Sequence, residues 1–122
     1  MAIDKKILIV DDCETTRKLL SYIIRERGYK IIGASNGIEA LEVMASNPVD
    51  LVVTDLNMPQ MDGFELSRSL RGQPEYQELP IIMITTESGD HDRKMGMEAG
   101  VNTYLSKPIT PQRLLYEIEK LI

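Results

Sequence analysis

The sequence has no tryptophan, one phenylalanine, one histidine and one cysteine. A lone Cys13 cannot close an internal disulfide, so the fold must hold by packing, and a reducing cytoplasm is the expected setting. His91 lies in a polar stretch (88–94) and reads as a surface residue, not a phosphotransfer group. Positive charge is in deficit: 14 Lys and Arg against 19 Asp and Glu leave a net charge of −5. Such a chain repels a phosphate backbone, which argues against direct nucleic-acid binding. Long apolar runs are missing too. The longest aliphatic runs, 7–10 and 81–84, fall far short of a membrane span. The N-terminus, MAIDKKILIVDD, has no signal-peptide layout.

What is present suits one globular core. The 122 residues make about 0.8 of a typical domain, leaving no room for a second domain or a separate output module. Apolar residues are 43% and charged residues 27%, so disorder is not expected. Short β-rich runs alternate with helical patterns. Runs at Lys6–Val10, Lys30–Ala34, 51–54, Ile81–Thr85 and 102–105 predict five strands. Leu19, Leu20, Ile23 and Ile24 predict one face of a first helix, which Gly28 stops. Asn36 and Glu39 have capping-box spacing for a second helix, ended by Ser46-Asn47-Pro48. A third helix is expected over 63–70 and a fourth over Asp90–Glu98, ending at Gly100. Thr110-Pro111 opens a fifth, with Leu114, Leu115, Ile118, Leu121 and Ile122 on its apolar face. One of Met95 and Met97 is expected in the core.

Five βα units predict an α/β fold: a doubly wound, five-stranded parallel sheet with helices on both faces, in flavodoxin-like order 2-1-3-4-5. Runs such as KILIV and LVVT, apolar without alternation, fit strands covered on both sides. In that order the ligand crevice lies beyond the carboxyl ends of strands 1 and 3. Polar residues gather at those ends: Asp11 and Asp12 after strand 1, Asp55 after strand 3, Thr85 and Thr86 after strand 4, Lys107 and Pro108 after strand 5. Carboxylates around one crevice repel; two unit charges about 4 Å apart interact by roughly 4 kcal/mol at an effective dielectric of 20. Protonation of one, or a divalent cation such as Mg²⁺, relieves them. Lys107 and Thr85 suit a phosphoryl oxygen, and an isolated carboxylate such as Asp55 suits nucleophilic attack on phosphorus.

The strand-DD sequence, VVTDLNMPQMDG, LPIIMITTE and YLSKP together resemble the receiver domain of two-component response regulators, in its single-domain, chemotaxis-type form. The resemblance covers about residues 5–122, with no output domain following. It implies a signalling phosphoacceptor rather than an enzyme. Asp55 would accept a phosphoryl group from a phosphohistidine of a sensor histidine kinase or histidine phosphotransfer protein. Mg²⁺ (or Mn²⁺) would be held by Asp12 and Asp55, by the Asn57 backbone carbonyl, and by Asp11 acting mainly through water. Thr85 and Lys107 would contact the phosphoryl group. Tyr104 would be an aromatic switch that turns inward when Thr85 moves, and the Lys107–Pro108 bond would be cis. Asn57 and Glu87, two residues after the aspartate and the threonine, would tune self-catalysed hydrolysis and give a short-lived phosphoryl group. Thr86 is a departure, since Ala or Gly is usual there; its larger side chain could narrow access. A downstream protein would bind about residues 87–122. A monomer is expected before phosphorylation, with dimerisation through the last strand–helix face left open.

Two other readings compete. A Mg²⁺-dependent phosphohydrolase with an aspartyl-phosphate intermediate would share Asp55, but Asn57 stands where its second, general-acid Asp belongs. A flavodoxin-like redox module would need hydroxyls and amides in its first loop, where this chain has Asp11, Asp12 and Glu14.

Overall fold

Five strands with almost no polar interior positions pair into one parallel sheet. In the computed structural model, which describes residues 3–87 and 89–122, they are β1 (Lys6–Val10), β2 (Lys30–Ala34), β3 (Leu51–Asp55), β4 (Ile81–Thr85) and β5 (Thr103–Ser106). The first two residues of the N-terminal stretch, and Ser88 of the polar stretch 88–94, lie outside that description. The strand order is β2-β1-β3-β4-β5, as the alternating pattern predicts. Five helices connect the strands: α1 (Glu14–Glu26), α2 (Gly37–Ser46), α3 (Gly63–Arg71), α4 (Asp90–Glu98) and α5 (Pro111–Leu121). Among the described residues no helix is long and apolar enough to cross a membrane.

The unbroken apolar strands have a direct cause. In β1, Leu8 and Val10 enter a core with α2 and α3 residues such as Ala40, Met44, Leu66 and Leu70. Ile7 and Ile9 point the other way, into a core with Leu20 and Ile24 of α1 and Leu114 and Ile118 of α5. Both sets of alternating side chains are dry, so neither can be polar.

Local signals set the helix ends. Gly28 and Gly100 follow α1 and α4 with φ of 108° and 94°, a region that L side chains rarely adopt. The Thr110 hydroxyl accepts the Arg113 N–H at 3.1 Å, and Pro111 begins α5. Ser67 Oγ donates to the Ala99 carbonyl at 2.7 Å. Arg71 donates from Nε and Nη2 to the Gly100 carbonyl at 3.0 and 2.8 Å. The carboxyl end of α4 is thereby tied to α3.

Several expectations need correction. Asn36 caps α2 by accepting from the Glu39 N–H, but Glu39 returns to the Ser35 N–H and hydroxyl rather than to Asn36, so the reciprocal box is incomplete. The complete capping box belongs to Asp62 and Glu65 at the start of α3. β3 reaches Asp55, and β5 lies one residue later than expected because Ser106 pairs with Thr85. A single 3-10 turn, Pro74–Tyr76, had no sequence expectation. Of the apolar face expected on the first helix, Leu20 and Ile24 are buried, while Leu19 is 58% exposed. On α5, Leu114 and Ile118 are fully buried while Leu115, Leu121 and Ile122 are partly so. Glu117 is buried beside them, bracketed by Arg113 at 3.0 Å and Lys120 at 3.1 Å. Met95 packs against the core and Met97 is exposed, in line with one of the two being core.

Candidate functional site

Register brings the acids together. Val10 stands beside Thr54 in adjacent strands, so the next residues, Asp11 and Asp55, emerge side by side. One carboxylate oxygen from each of Asp11, Asp12 and Asp55 lies within 4.8 Å of the others. Asp11 is buried, Asp55 is half-buried and Asp12 is exposed at the rim. Asp11 is fixed from both ends: its Oδ1 accepts the Cys13 N–H at 2.9 Å, and its carbonyl accepts Arg17 Nη1 at 2.7 Å. Thr54 Oγ1 donates to the Asp55 carbonyl at 2.8 Å. Arg17 had no sequence signal. It reaches back six residues to a backbone atom, and no pattern encodes that.

Lys107 enters from the end of β5. Its N–H donates to the Thr85 carbonyl at 2.8 Å, and the Lys107–Pro108 peptide is cis, as the resemblance implies. Its Nζ stands 3.4 Å from Asp55 Oδ1 and 3.7 Å from Asp11 Oδ2. The side chain is largely sheltered, so this pairing is screened less than a surface ion pair. It does not neutralise the site: three carboxylates face one ammonium. Burial pushes the Asp55 carboxyl above its ordinary value; Lys107 pulls it down, and Asp11 adds to the rise.

The donor set fits a small hard dication. One such ion cancels the two negative charges that Lys107 leaves. Ligands on opposite sides of Mg²⁺ sit about 4.1 Å apart, given Mg–O distances of about 2.0–2.1 Å. Oxygens within 4.8 Å need only slight closure or one bridging water. Asn57 is exposed, two residues after Asp55 in the chain.

Thr85 is fully buried at the end of β4. Its Oγ1 accepts the Glu87 N–H at 3.1 Å, and the Glu87 carbonyl accepts the Tyr104 hydroxyl. The backbone of one residue, Glu87, therefore links the threonine to the aromatic. Tyr104 points inward in this structure, with 4% of its surface exposed. Thr86 and Glu87 are exposed beside the site. Thr86 and Lys107 also line an apolar groove of about 380 Å³ with Leu19, Ile23, Pro108 and Ile109, between α1 and the β5–α5 loop. Leu19 thus covers the wall of a groove rather than the core.

Known proteins resemble the chain in sequence and in fold. A sequence profile described as response regulator receiver domain matches residues 7–119. The chain is 38% identical over 119 residues to a chemotaxis protein CheY homologue of Campylobacter jejuni, covering 96% of this chain and 92% of the relative. Among solved structures, the chemotaxis response regulator CheY4 of Vibrio cholerae superposes with a TM-score of 0.91 at 34% identity, covering 97% of this chain and 98% of that one. The receiver domain of a sensor histidine kinase from Pseudomonas aeruginosa superposes with a TM-score of 0.89 at 27% identity, covering 98% of each chain. That structure has a magnesium ion coordinated in its active-site cleft. A matching profile across nearly the whole length, and the acid-lysine crevice at the switch point of the same sheet, lead to one conclusion: the chain belongs to the response regulator receiver domain family, in its CheY-like form.

Proposed function

We propose that the chain is a phosphoacceptor switch in which Asp55 takes a phosphoryl group from the phosphohistidine of a sensor kinase or histidine phosphotransfer protein. The observation that carries this reading is the Lys107 ammonium set 3.4 Å from the Asp55 carboxylate, inside a crevice of three acids. An Asp55 oxygen attacks phosphorus, the P–N bond to the donor imidazole breaks, and an acyl phosphate forms. Lys107 then turns to the phosphoryl oxygens, and Thr85 offers its hydroxyl to them. Asp11, Asp12, Asp55 and the Asn57 carbonyl would hold Mg²⁺ (or Mn²⁺), which supplies charge neutralisation on those oxygens when bound. Mass spectrometry after acetyl phosphate treatment tests the reading. One phosphoryl adduct, labile to hydroxylamine, is expected with Mg²⁺; EDTA, or an Asp12→Asn change, should cut its rate of formation by roughly a hundredfold. An adduct indifferent to the metal would refute it.

Asn57 and Glu87 are exposed two residues after Asp55 and Thr85, and the side chain of each has polar atoms that can orient a water toward phosphorus. Together Asn57→Ala and Glu87→Ala should slow self-catalysed dephosphorylation about tenfold or more; Thr86→Ala should speed it by opening access. An unchanged decay of the adduct in the double variant would remove the tuning role.

The donor docks in the groove beside Lys107. This surface is apolar, it shares Lys107 with the site, and it explains an exposed Leu19 on an otherwise amphipathic helix. Leu19→Asp should slow transfer from a phosphorylated kinase by about tenfold while leaving acetyl phosphate uptake intact. Equal slowing of both would point to a distorted site instead of a lost contact.

The signal leaves through Thr85. When its hydroxyl turns to the phosphoryl group, the Glu87 N–H loses its acceptor, and the Glu87 backbone, whose carbonyl accepts the Tyr104 hydroxyl, shifts. Residues about 87–122 then present an altered face to a downstream protein, or to a second copy of the chain.

A further inference from the structure

Tyr104 is gripped by α4 in a way that the phosphoacceptor reading does not require. Arg93 touches it twice. Its Nη1 donates to the Tyr104 carbonyl at 2.9 Å, and its guanidinium lies 5.2 Å from the ring centroid, within cation–π range. β5 is an edge strand, so a carbonyl on its open side has no strand partner; Arg93 supplies the donor. One turn along α4, Gly96 leaves the space that the ring fills. A Cβ at that position would come to 2.7 Å from Tyr104 Cδ2 and 3.2 Å from Cε2. Glycine inside a helix is unfavourable unless something needs the space, and here the inward ring does. Among the described residues, Arg93 makes the only side-chain hydrogen bond from α4 to the sheet.

We propose that Arg93 and Gly96 form a latch that holds Tyr104 inward on α4, which makes Arg93 a positioning residue of the switch. Ring and helix then move as one body. Phosphorylation displaces that body through the Glu87 carbonyl instead of flipping the ring between two rotamers. The inference rests on the phosphoacceptor reading only for the origin of the displacement. The grip itself is independent of the state of Asp55.

Fluorine NMR on the 3-fluorotyrosine-labelled chain tests it, with the Tyr104 signal assigned by Tyr104→Phe. In the unsubstituted protein that signal should be shielded from a soluble paramagnetic agent, both without and with beryllofluoride and Mg²⁺. In Arg93→Gln its accessibility without beryllofluoride should rise roughly two- to fivefold, the population change produced by losing an exposed cation–ring contact. In Gly96→Ala the ring should be accessible under both conditions. A shielded signal in Arg93→Gln overturns the latch, as does a ring in the unsubstituted protein that becomes shielded only on adding beryllofluoride. Acetyl phosphate uptake is measured by mass on the same samples. Absence of an adduct would refute the phosphoacceptor reading and leave the ring measurement to decide the latch.

Discussion

An Asp55→Asn variant is expected to gain no phosphoryl mass from acetyl phosphate under conditions that fully modify the unsubstituted chain. Asparagine keeps the shape and place of the side chain but is no nucleophile toward phosphorus, so the loss should be complete rather than graded. The same change should raise Tm at neutral pH. Burial and the neighbouring Asp11 both disfavour the charged form of Asp55, and Lys107 only partly offsets them. The raised carboxyl contributes stability that is fully present below the ordinary value of 3.8 and lost as pH rises through its value in the folded protein. The advantage of Asn over Asp should therefore be absent at pH below 3.8 and grow as pH rises above it. Paired thermal melts across that range check the sign. An advantage that is largest in acid would mean that Lys107 overcompensates burial. An adduct that survives the substitution would place the acceptor elsewhere.

Gly63→Ala should damage both the fold and the site. Gly63 sits directly under the β3–α3 loop, where its N–H donates to the Leu56 carbonyl at 2.8 Å. A Cβ would overlap the Asp55 carbonyl oxygen and come to 2.8 Å from Met83 Cε. The methionine can move; the backbone that carries the nucleophile cannot do so without shifting the site. Overpacking of this kind costs about 1–3 kcal/mol, which for a domain of this size is a fall of several degrees in Tm. Displacing a reacting group by about 1 Å can cost on the order of a hundredfold in rate, so phosphorylation should slow more than stability alone explains. Gly33→Ala is the control. That glycine is exposed on edge strand β2, its added Cβ would find nothing closer than 3.7 Å, and neither property should fall. Equal behaviour of the two variants in melts and phosphorylation rates would remove the close-approach account of Gly63.

The framework was legible because the apolar runs stop abruptly at acids. Ile7, Leu8, Ile9 and Val10 give way at once to Asp11 and Asp12, and Leu51 to Thr54 give way to Asp55; buried parallel strands emerging at a polar crevice leave that trace. What escaped the sequence was made of long side chains bonding to distant backbone. Arg17 on the Asp11 carbonyl, Arg71 on the Gly100 carbonyl and Arg93 on the Tyr104 carbonyl have no periodicity, because a backbone acceptor has no residue identity to match. The spacing of Leu19 with Ile23 marks an apolar stripe but is the same whether that stripe meets a core or a groove. Gly96 did leave a signal, a glycine inside a helical pattern, but its meaning depended on a ring eight residues further along.

The tie between α3 and the carboxyl end of α4 has a geometric consequence. Nine residues of helix make a rod about 13 Å long, anchored at one end by Ser67 and Arg71. A tilt of about 10° carries the Arg93 end, held to β5 by one side-chain hydrogen bond, some 2 Å while leaving the end tied to α3 almost still, at ~1.5 Å of rod per residue. A protein that grips α4 near Arg93 reads the tilt. One that grips exposed Met97, two residues from the anchor at Ala99, binds equally at every angle.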